Sequence, residues 1–218
     1  MRVPPEFDEI GNWSEIKLAI LKEYARAYSA IMTAQKSPQL RHAYIDAFAG
    51  AGIHISKLTN EFVSGSPLNA LLIQPPFREF HLIDLSAKRV ESLRKQVGDR
   101  DDVHIYEGDC NEVLLHKVFP QVQYSAYRRA LCLLDPYGLH LSWEVIQTAA
   151  RMKSIEIVLN FPVLDMNRNV LRRDPTEVQK SQISRMDRFW GTIPGVRSST
   201  ARIRRPLVLP KNSQTRRW

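Results

Sequence analysis

Acidic residues stand at or near the ends of three successive apolar segments of this sequence, and glycines follow the first of them. Asp46 leads into Gly50 and Gly52, Asp84 ends the next apolar segment, and Asp109 comes just after the third. Glycine permits positive φ and lets a ligand approach the main chain without a Cβ in the way. Carboxylates accept hydrogen bonds from a ribose diol or from amino groups. The pattern is typical of a site for an adenosine-containing ligand.

The order of these acids favours S-adenosylmethionine over NAD. In class I methyltransferases, three acids in this order contact the parts of S-adenosylmethionine. The first, which is followed by glycines, contacts the methionine amine, the second contacts the ribose and the third contacts the adenine. NAD shares the first two features only and requires G-x-G-x-x-G, whereas Ile55 is the third residue after Gly52. Asp84 or Asp109 alone is equally well explained as a helix cap. The predicted cofactor-binding residues are Asp46, Phe48, Gly50, Gly52, Asp84 and Asp109.

A fourth apolar segment ends in Asp135, Pro136, Tyr137 and Gly138. In amino-methyltransferases this segment is usually D-P-P-Y: the acid and a proline carbonyl accept hydrogens from the target amine, and the aromatic ring stacks on a flipped base. Here the order is D-P-Y-G, with one proline fewer, so a turn in which Pro136 and Gly138 only reverse the chain is the alternative. We predict Asp135, Pro136 and Tyr137 as catalytic residues for methyl transfer to an amino group, with RNA or DNA as the expected acceptor.

Short apolar runs alternate with helical patterns from residue 42 onward, an order that implies a parallel sheet. The predicted fold is therefore α/β, a Rossmann-like doubly wound parallel sheet with helices on both faces, preceded by an N-terminal helix. The predicted strands are 43–48, 79–83, 103–106, 130–134 and 155–160, and the predicted helices after the first are 67–73, 87–97, 111–117 and 143–152.

The N-terminal helix and one connection need separate treatment. The helix is predicted from an apolar face with helical spacing, and Asn12 followed by Glu15 suggests its N-cap and reciprocal acid. Residues 53–65 fit neither period, so they are predicted as a lid or substrate loop, with a plain surface insertion as the alternative. The residues of the apolar face are Ile16, Ile20, Tyr24, Tyr28 and Ile31.

Composition and charge divide the chain into three parts. The chain has 218 residues and a formal net charge of +8, and residues 188–218 contain basic but no acidic residues. We expect an N-terminal helical segment over 1–40, a methyltransferase-like domain over 41–192 and a basic, disordered tail over 193–218. The tail could instead bind nucleic acid through its charge.

No run of residues is apolar enough to cross a bilayer, which predicts a cytoplasmic protein. The two cysteines, Cys110 and Cys132, lack metal-ligand spacing.

Several sequence motifs together resemble the three-Cys-motif partner protein (TcmP) family, from about residue 10 to about residue 191. Some of these motifs also resemble those of bacterial 23S ribosomal RNA adenine methyltransferases. The resemblance implies a class I methyltransferase-like fold and pairing with a three-Cys-motif protein. It rests on Trp13–Lys17, Tyr44–Gly52, Gly65–Pro67, Leu134–Gly138, Ser142–Glu144, Leu159–Phe161 and Asn167–Asn169.

The resemblance also suggests which residues contact the substrate, and it shows where this chain differs from the family. Asn160, Asn167 and Arg168 match a family block and are predicted to contact substrate; equally, they could satisfy turn and helix-end backbone groups. Relatives continue with a further helix and two strands where this chain becomes arginine-rich, so we expect a truncated C-terminal part. Two hypotheses follow: an S-adenosylmethionine-dependent methyltransferase, or a non-catalytic methyltransferase-like protein that binds a three-Cys-motif protein.

Overall fold

The computed structural model describes residues 7–35, 37, 39–171 and 178–191. The strands in these residues are β1 (Asp8–Ile10), β2 (Arg41–Asp46), β3 (Ile53–Ser56), β4 (Phe62–Ser64), β5 (Glu79–Asp84), β6 (Val103–Glu107), β7 (Arg128–Leu134) and β8 (Ile155–Leu159). The helices are α1 (Asn12–Ala34), α2 (Ser66–Leu71), α3 (Ala87–Val97), α4 (Cys110–Val113), α5 (Trp143–Met152), α6 (Val163–Asn169) and α7 (Lys180–Trp190).

Five strands form a parallel sheet in the order β6-β5-β2-β7-β8. On one face Tyr44, Leu82 and Leu131 pack into a core with residues of α1, α2 and α3. The intervening residues, such as Ile45 and Ile83, point to the opposite face and are also fully buried, so both faces of the sheet are covered. Burial on both sides explains why apolar residues predominate in the sheet, although its buried residues also include His42, His81, Asp46 and Asp84. The α/β, Rossmann-like fold class predicted from the sequence is confirmed.

A second, three-stranded sheet was not predicted. Strands β3 and β4 pair antiparallel, and β1 pairs parallel with β3, in the order β1-β3-β4. The segment 53–65, expected to lack regular structure, is therefore mostly a hairpin. Strands of three or four residues are too short for apolar alternation to identify them.

Helix α1 is present where it was predicted, but its start and its buried side differ from expectation. Gly11, not Asn12, occupies the N-cap position, without a side-chain cap, and Glu15 accepts a hydrogen bond from the Ser56 hydroxyl instead (2.7 Å). Of the predicted apolar face only Tyr28 is buried. The helix buries a different set: Leu18, Ala25, Tyr28 and Ser29.

The chain divides into two compact units. The first contains the residues up to Pro136 together with Glu144–Phe161, and therefore both sheets; the second contains Tyr137–Trp143 and the residues from Pro162 onward. In the second unit the Asp165 carboxylate accepts hydrogen bonds from Leu139 N (3.2 Å) and from the Asn169 side chain (2.6 Å). The predicted tail over 193–218 lies outside the described residues. Among the helices that are described, none has the length and apolarity to cross a bilayer.

Candidate functional site

The side chain of Asp84 links the end of β5 to the glycine loop that follows β2. Its Oδ2 accepts a hydrogen bond from Gly50 N (3.0 Å), and its Oδ1 accepts one from Ser86 N at the start of α3 (2.8 Å). A second backbone bond, from Ala49 N to Ile83 O (2.9 Å), keeps the loop on the same sheet edge. A carboxylate has about four acceptor positions, so Asp84 retains the capacity to accept two hydroxyl donors from a ribose.

Asp46, at the end of β2, is a carboxyl group with no exposure to solvent. Burial raises its pKa to about 6, although hydrogen bonds from the Ser66 hydroxyl and from Phe48 N act in the opposite direction. The distance from Phe48 N to Asp46 Oδ1 is 3.1 Å. The negative charge of Asp135 raises the pKa further. At neutral pH the fold therefore holds an ionised carboxylate that a cationic or hydrogen-bond-donating ligand would stabilise.

The two glycines of the loop differ in their surroundings. Both have positive φ, +65° at Gly50 and +84° at Gly52, which other residues adopt at a cost. A Cβ at Gly50 would meet no atom within 4 Å, whereas one at Gly52 would lie 2.9 Å from Leu93 Cδ1 and 3.1 Å from Gln96 Oε1. Gly52 thus allows α3 to pack against the loop, and Gly50 leaves open space where a ligand can approach the backbone.

The third acid, Asp109, caps α4. Its Oδ1 accepts hydrogen bonds from Asn111 N (2.9 Å) and Glu112 N (3.4 Å). This is the helix-cap role that the sequence offered as the alternative to adenine recognition. The two roles are compatible, because a cap uses one carboxylate oxygen and an amino group could donate to the other. The preceding residue, Gly108, donates its N–H to Asp84 O (3.1 Å), so β5 and β6 end together. The carboxyl edge of β2, β5 and β6 therefore carries all three predicted acids.

Asp135 follows β7 at the same edge, and two side chains engage it. Lys17 Nζ lies 2.5 Å from Oδ2, and Asn160 Nδ2 donates to Oδ1 (2.7 Å). Asn160, predicted on the substrate side, is thus in contact with the predicted catalytic acid. Lys17 was not predicted as a site residue; its position in the Trp13–Lys17 motif was the signal that could have identified it.

The remaining predicted residues are distributed over both units. Pro136 closes the first segment of the first unit, and Tyr137 begins the second unit with 72% of its surface exposed. Asn167 and Arg168 lie in α6 of the second unit and are exposed. The structure assigns no chemical role to Tyr137, Asn167 or Arg168, so their functions stay predictions.

We predict that Asp46→Asn removes a pH-dependent cost to stability. The pKa of Asp46 is about 6 in the folded chain, against 3.8 for an ordinary aspartate. The folded state therefore binds more protons than the unfolded state between these values, and stability falls as pH rises through them. Above pH 7 the variant should be more stable than the native chain by roughly 2 kcal/mol. Near pH 4 the difference should vanish. Urea unfolding of both proteins from pH 4 to pH 8 measures the difference in the free energy of unfolding. If that difference did not change with pH, the raised pKa of Asp46 would be contradicted.

Comparison with known proteins identifies no family. No protein-family model matches the chain, and no curated protein matches it. Among solved structures, a protein from Legionella pneumophila assigned to family DUF519 is 15% identical, with 67% of each chain covered and a TM-score of 0.49. Precorrin 8W decarboxylase from Methanobacterium thermoautotrophicum is 11% identical, with 66% of this chain and 67% of that chain covered and a TM-score of 0.34.

Proposed function

We propose that the chain binds S-adenosylmethionine at the carboxyl edge of β2, β5 and β6 and transfers its methyl group to an amino group, with a nucleic acid as the acceptor. The observation that supports this most is the bond from Gly50 N to Asp84 Oδ2 (3.0 Å). It brings a glycine with open space beside it and an acid with unused acceptor capacity to the same point. Open α/β sheets bind ligands at this edge.

The residues at the edge fit the parts of this cofactor. Asp84 would accept the ribose hydroxyls, and Asp109 would accept from the adenine amino group. Asp46 would accept from the methionine amine, which offsets the cost of its buried charge. The cofactor, when bound, supplies an electrophilic methyl group. The protein contributes mainly position: Asp135, fixed by Lys17 and Asn160, would orient the acceptor amine by accepting one of its hydrogens.

Asp84→Ala should abolish binding of S-adenosylmethionine in isothermal titration calorimetry, because the ribose loses its acceptor and Gly50 N loses its partner. Asp84→Asn keeps one acceptor oxygen and should reduce affinity by about 100-fold, in line with two charge-assisted hydrogen bonds weakened. Asp102→Asn is the matched control, since Asp102 precedes β6 at the opposite edge of the sheet and pairs with Arg100. Unchanged affinity in Asp84→Ala would remove this residue from the proposed cofactor site.

A second candidate, a non-catalytic partner of a three-Cys-motif protein, is favoured by two observations. Both oxygens of Asp135 already have partners in Lys17 and Asn160, and the second proline of D-P-P-Y is missing. Co-purification with a three-Cys-motif protein, together with no methyl incorporation into RNA or DNA from labelled donor, would support it. Incorporation that is lost in Asp135→Ala would exclude it.

A further inference from the structure

Two segments lie side by side at the amino edge of the five-stranded sheet, opposite the edge that carries the predicted acids. The loop 123–127 leads into β7, and residues 151–154, at the end of α5, lead into β8, its parallel neighbour. Ala130 N donates to Ser154 O (2.8 Å), and Ser154 Oγ donates to Val122 O (2.5 Å). The two segments therefore form one continuous surface.

A depression of about 520 Å³ opens in this surface, a volume within the range of ligand sites. The loop before β7 forms one wall, and the last two turns of α5 form the other. The residues of the walls are Gln123, Tyr124, Ser125, Thr148, Arg151 and Met152. Polar groups, a cation and a tyrosine line the depression, so it suits a ligand that is both planar and charged.

The sequence segments that form this surface contain basic residues and no acidic residue. Residues 113–134 and 145–155 include no Asp or Glu, and their Lys and Arg residues are Lys117, Arg128, Arg129, Arg151 and Lys153. Arg128 pairs with Glu79 (2.6 Å). Neither Arg129 nor Arg151 forms a salt bridge with any residue that the structure describes. Their charges are therefore available to an anionic ligand.

Two exposed tyrosines belong to the same surface. Tyr124 is 55% exposed and Tyr127 is 50% exposed. The Arg129 guanidinium lies 3.6 Å from the centre of the Tyr124 ring, held by hydrogen bonds to Arg128 O (2.7 Å) and Tyr124 O (3.4 Å). It covers one face of the ring and leaves the other face and the edges as the exposed area. Proteins bind single-stranded nucleic acid with such aromatic rings beside cations.

The backbone of this surface is strained in two places. Besides glycines, the described residues with positive φ are Asn60, Tyr127 and Lys153. Asn adopts this conformation readily, whereas a Tyr or Lys does so at a cost. Tyr127 (φ +55°) and Lys153 (φ +58°) both have exposed side chains, and glycine would satisfy the backbone better at each position. Strain of this kind at exposed residues points to a role outside folding.

We propose that this surface binds a single strand of nucleic acid, with a base stacked on Tyr124 and phosphates beside the cations. We call it the amino-edge patch, which consists of Tyr124, Tyr127, Arg129, Arg151 and Lys153. An exposed ring can stack on a base that is free of its neighbours, which favours a single strand over a duplex. An acidic peptide would engage the cations but would not require the open ring.

The proposal goes beyond the proposed function, because binding at the amino-edge patch requires neither S-adenosylmethionine nor methyl transfer. The patch and the cofactor site lie at opposite edges of the sheet. A strand of seven residues, such as β7, separates these edges by roughly 20 Å. Substitutions in the patch should therefore leave the affinity for S-adenosylmethionine unchanged, and each proposal can fail without the other.

Fluorescence anisotropy with the full chain tests the proposal. The probe is a labelled oligonucleotide of about 12 nucleotides, within the site sizes of single-strand-binding proteins, supplied as RNA, as DNA and as a DNA duplex. The single strands should bind more tightly than the duplex. Tyr124→Ala should weaken their binding about tenfold, in line with the loss of one stacked base. Tyr124→Phe keeps the ring and should bind like the native chain.

The dependence of binding on salt reports on the cations. Arg151→Ala should reduce the slope of log affinity against log salt concentration by about one, because one phosphate contact is lost. Lys22→Met, which removes an exposed lysine from α1, is the control. Its affinity and its salt slope should both match those of the native chain.

Tyr127→Gly separates binding from folding. It should weaken binding of the single strands, while the midpoint of urea unfolding stays the same or rises because glycine relieves the strain at φ +55°. A lower midpoint with unchanged affinity would show that Tyr127 serves folding and does not bind.

Three results would overturn the proposal. The first is that none of the probes binds. The second is native affinity in both Tyr124→Ala and Arg151→Ala, which would place the binding elsewhere, as on the basic residues of 188–218. The third is equal affinity for single strand and duplex, since stacking on an exposed ring would then play no part. Tighter binding of RNA than of DNA, lost in Tyr124→Ala, would support the proposal and identify the sugar.

Discussion

Gly52→Ala should destabilise the protein by roughly 2–5 kcal/mol, because it combines backbone strain with overpacking. At φ +84° a residue with a Cβ is strained. The added methyl group would also lie 2.9 Å from Leu93 Cδ1 and 3.4 Å from Leu68 Cγ, within the contact between the glycine loop and the helices. A loss of this size is a large part of the stability of an ordinary domain. Urea unfolding of the purified variant measures it.

Gly50→Ala is the matched variant with the opposite expectation. Its methyl group would meet no atom within 4 Å, so only the cost of positive φ remains, about 1–2 kcal/mol. Under the proposed function it should nevertheless weaken S-adenosylmethionine binding strongly, because the methyl group fills the space through which the ligand reaches the backbone. Equal destabilisation by the two variants would contradict the separate roles of the two glycines, in which Gly52 permits helix packing and Gly50 permits ligand access.

Asp135→Ala should reduce methyl incorporation into nucleic acid by at least about 100-fold, the usual contribution of one positioned polar group in an active site. Lys17→Met should have a similar effect, since Lys17 holds Asp135 at 2.5 Å and its loss frees the carboxylate to rotate. Both side chains are partly exposed, so the effect of either change on stability should be within about 1 kcal/mol. Both variants are therefore expected to lose methyl incorporation while keeping nearly the stability of the native chain.

Lys22→Met provides the control for Lys17→Met, because it removes an exposed lysine from the same helix. Incorporation and S-adenosylmethionine affinity should both match those of the native chain. If Lys17→Met and Asp135→Ala retain full incorporation while Asp84→Ala loses the cofactor, the acceptor lies elsewhere on the protein. If no protein incorporates methyl groups but all except Asp84→Ala bind the cofactor, the non-catalytic partner function is favoured.

The sequence by itself determined the order and type of the main elements. Apolar residues predominate in the runs around Ala43, Leu82 and Leu131 because the strands are buried on both faces, and this is a local property that can be read along the chain. Parallel strands separated by helices then place every strand end on a common edge. The prediction that Asp46, Asp84 and Asp109 share the carboxyl edge of the sheet depends on this topology alone.

Tertiary structure decided contacts between residues that are distant in sequence. Nothing in the local pattern indicates that Lys17 reaches Asp135, 118 residues away, or that three-residue β1 pairs with β3. The orientation of α1 was also undetermined, because its sequence offers apolar residues on two sides and periodicity alone does not say which side meets the sheet. Packing selected the side with Ala25 and Tyr28, which lie in the core, and left the side with Ile20 and Ile31 in solvent. Local sequence specifies which segments form elements, whereas packing between distant segments decides which of their side chains meet.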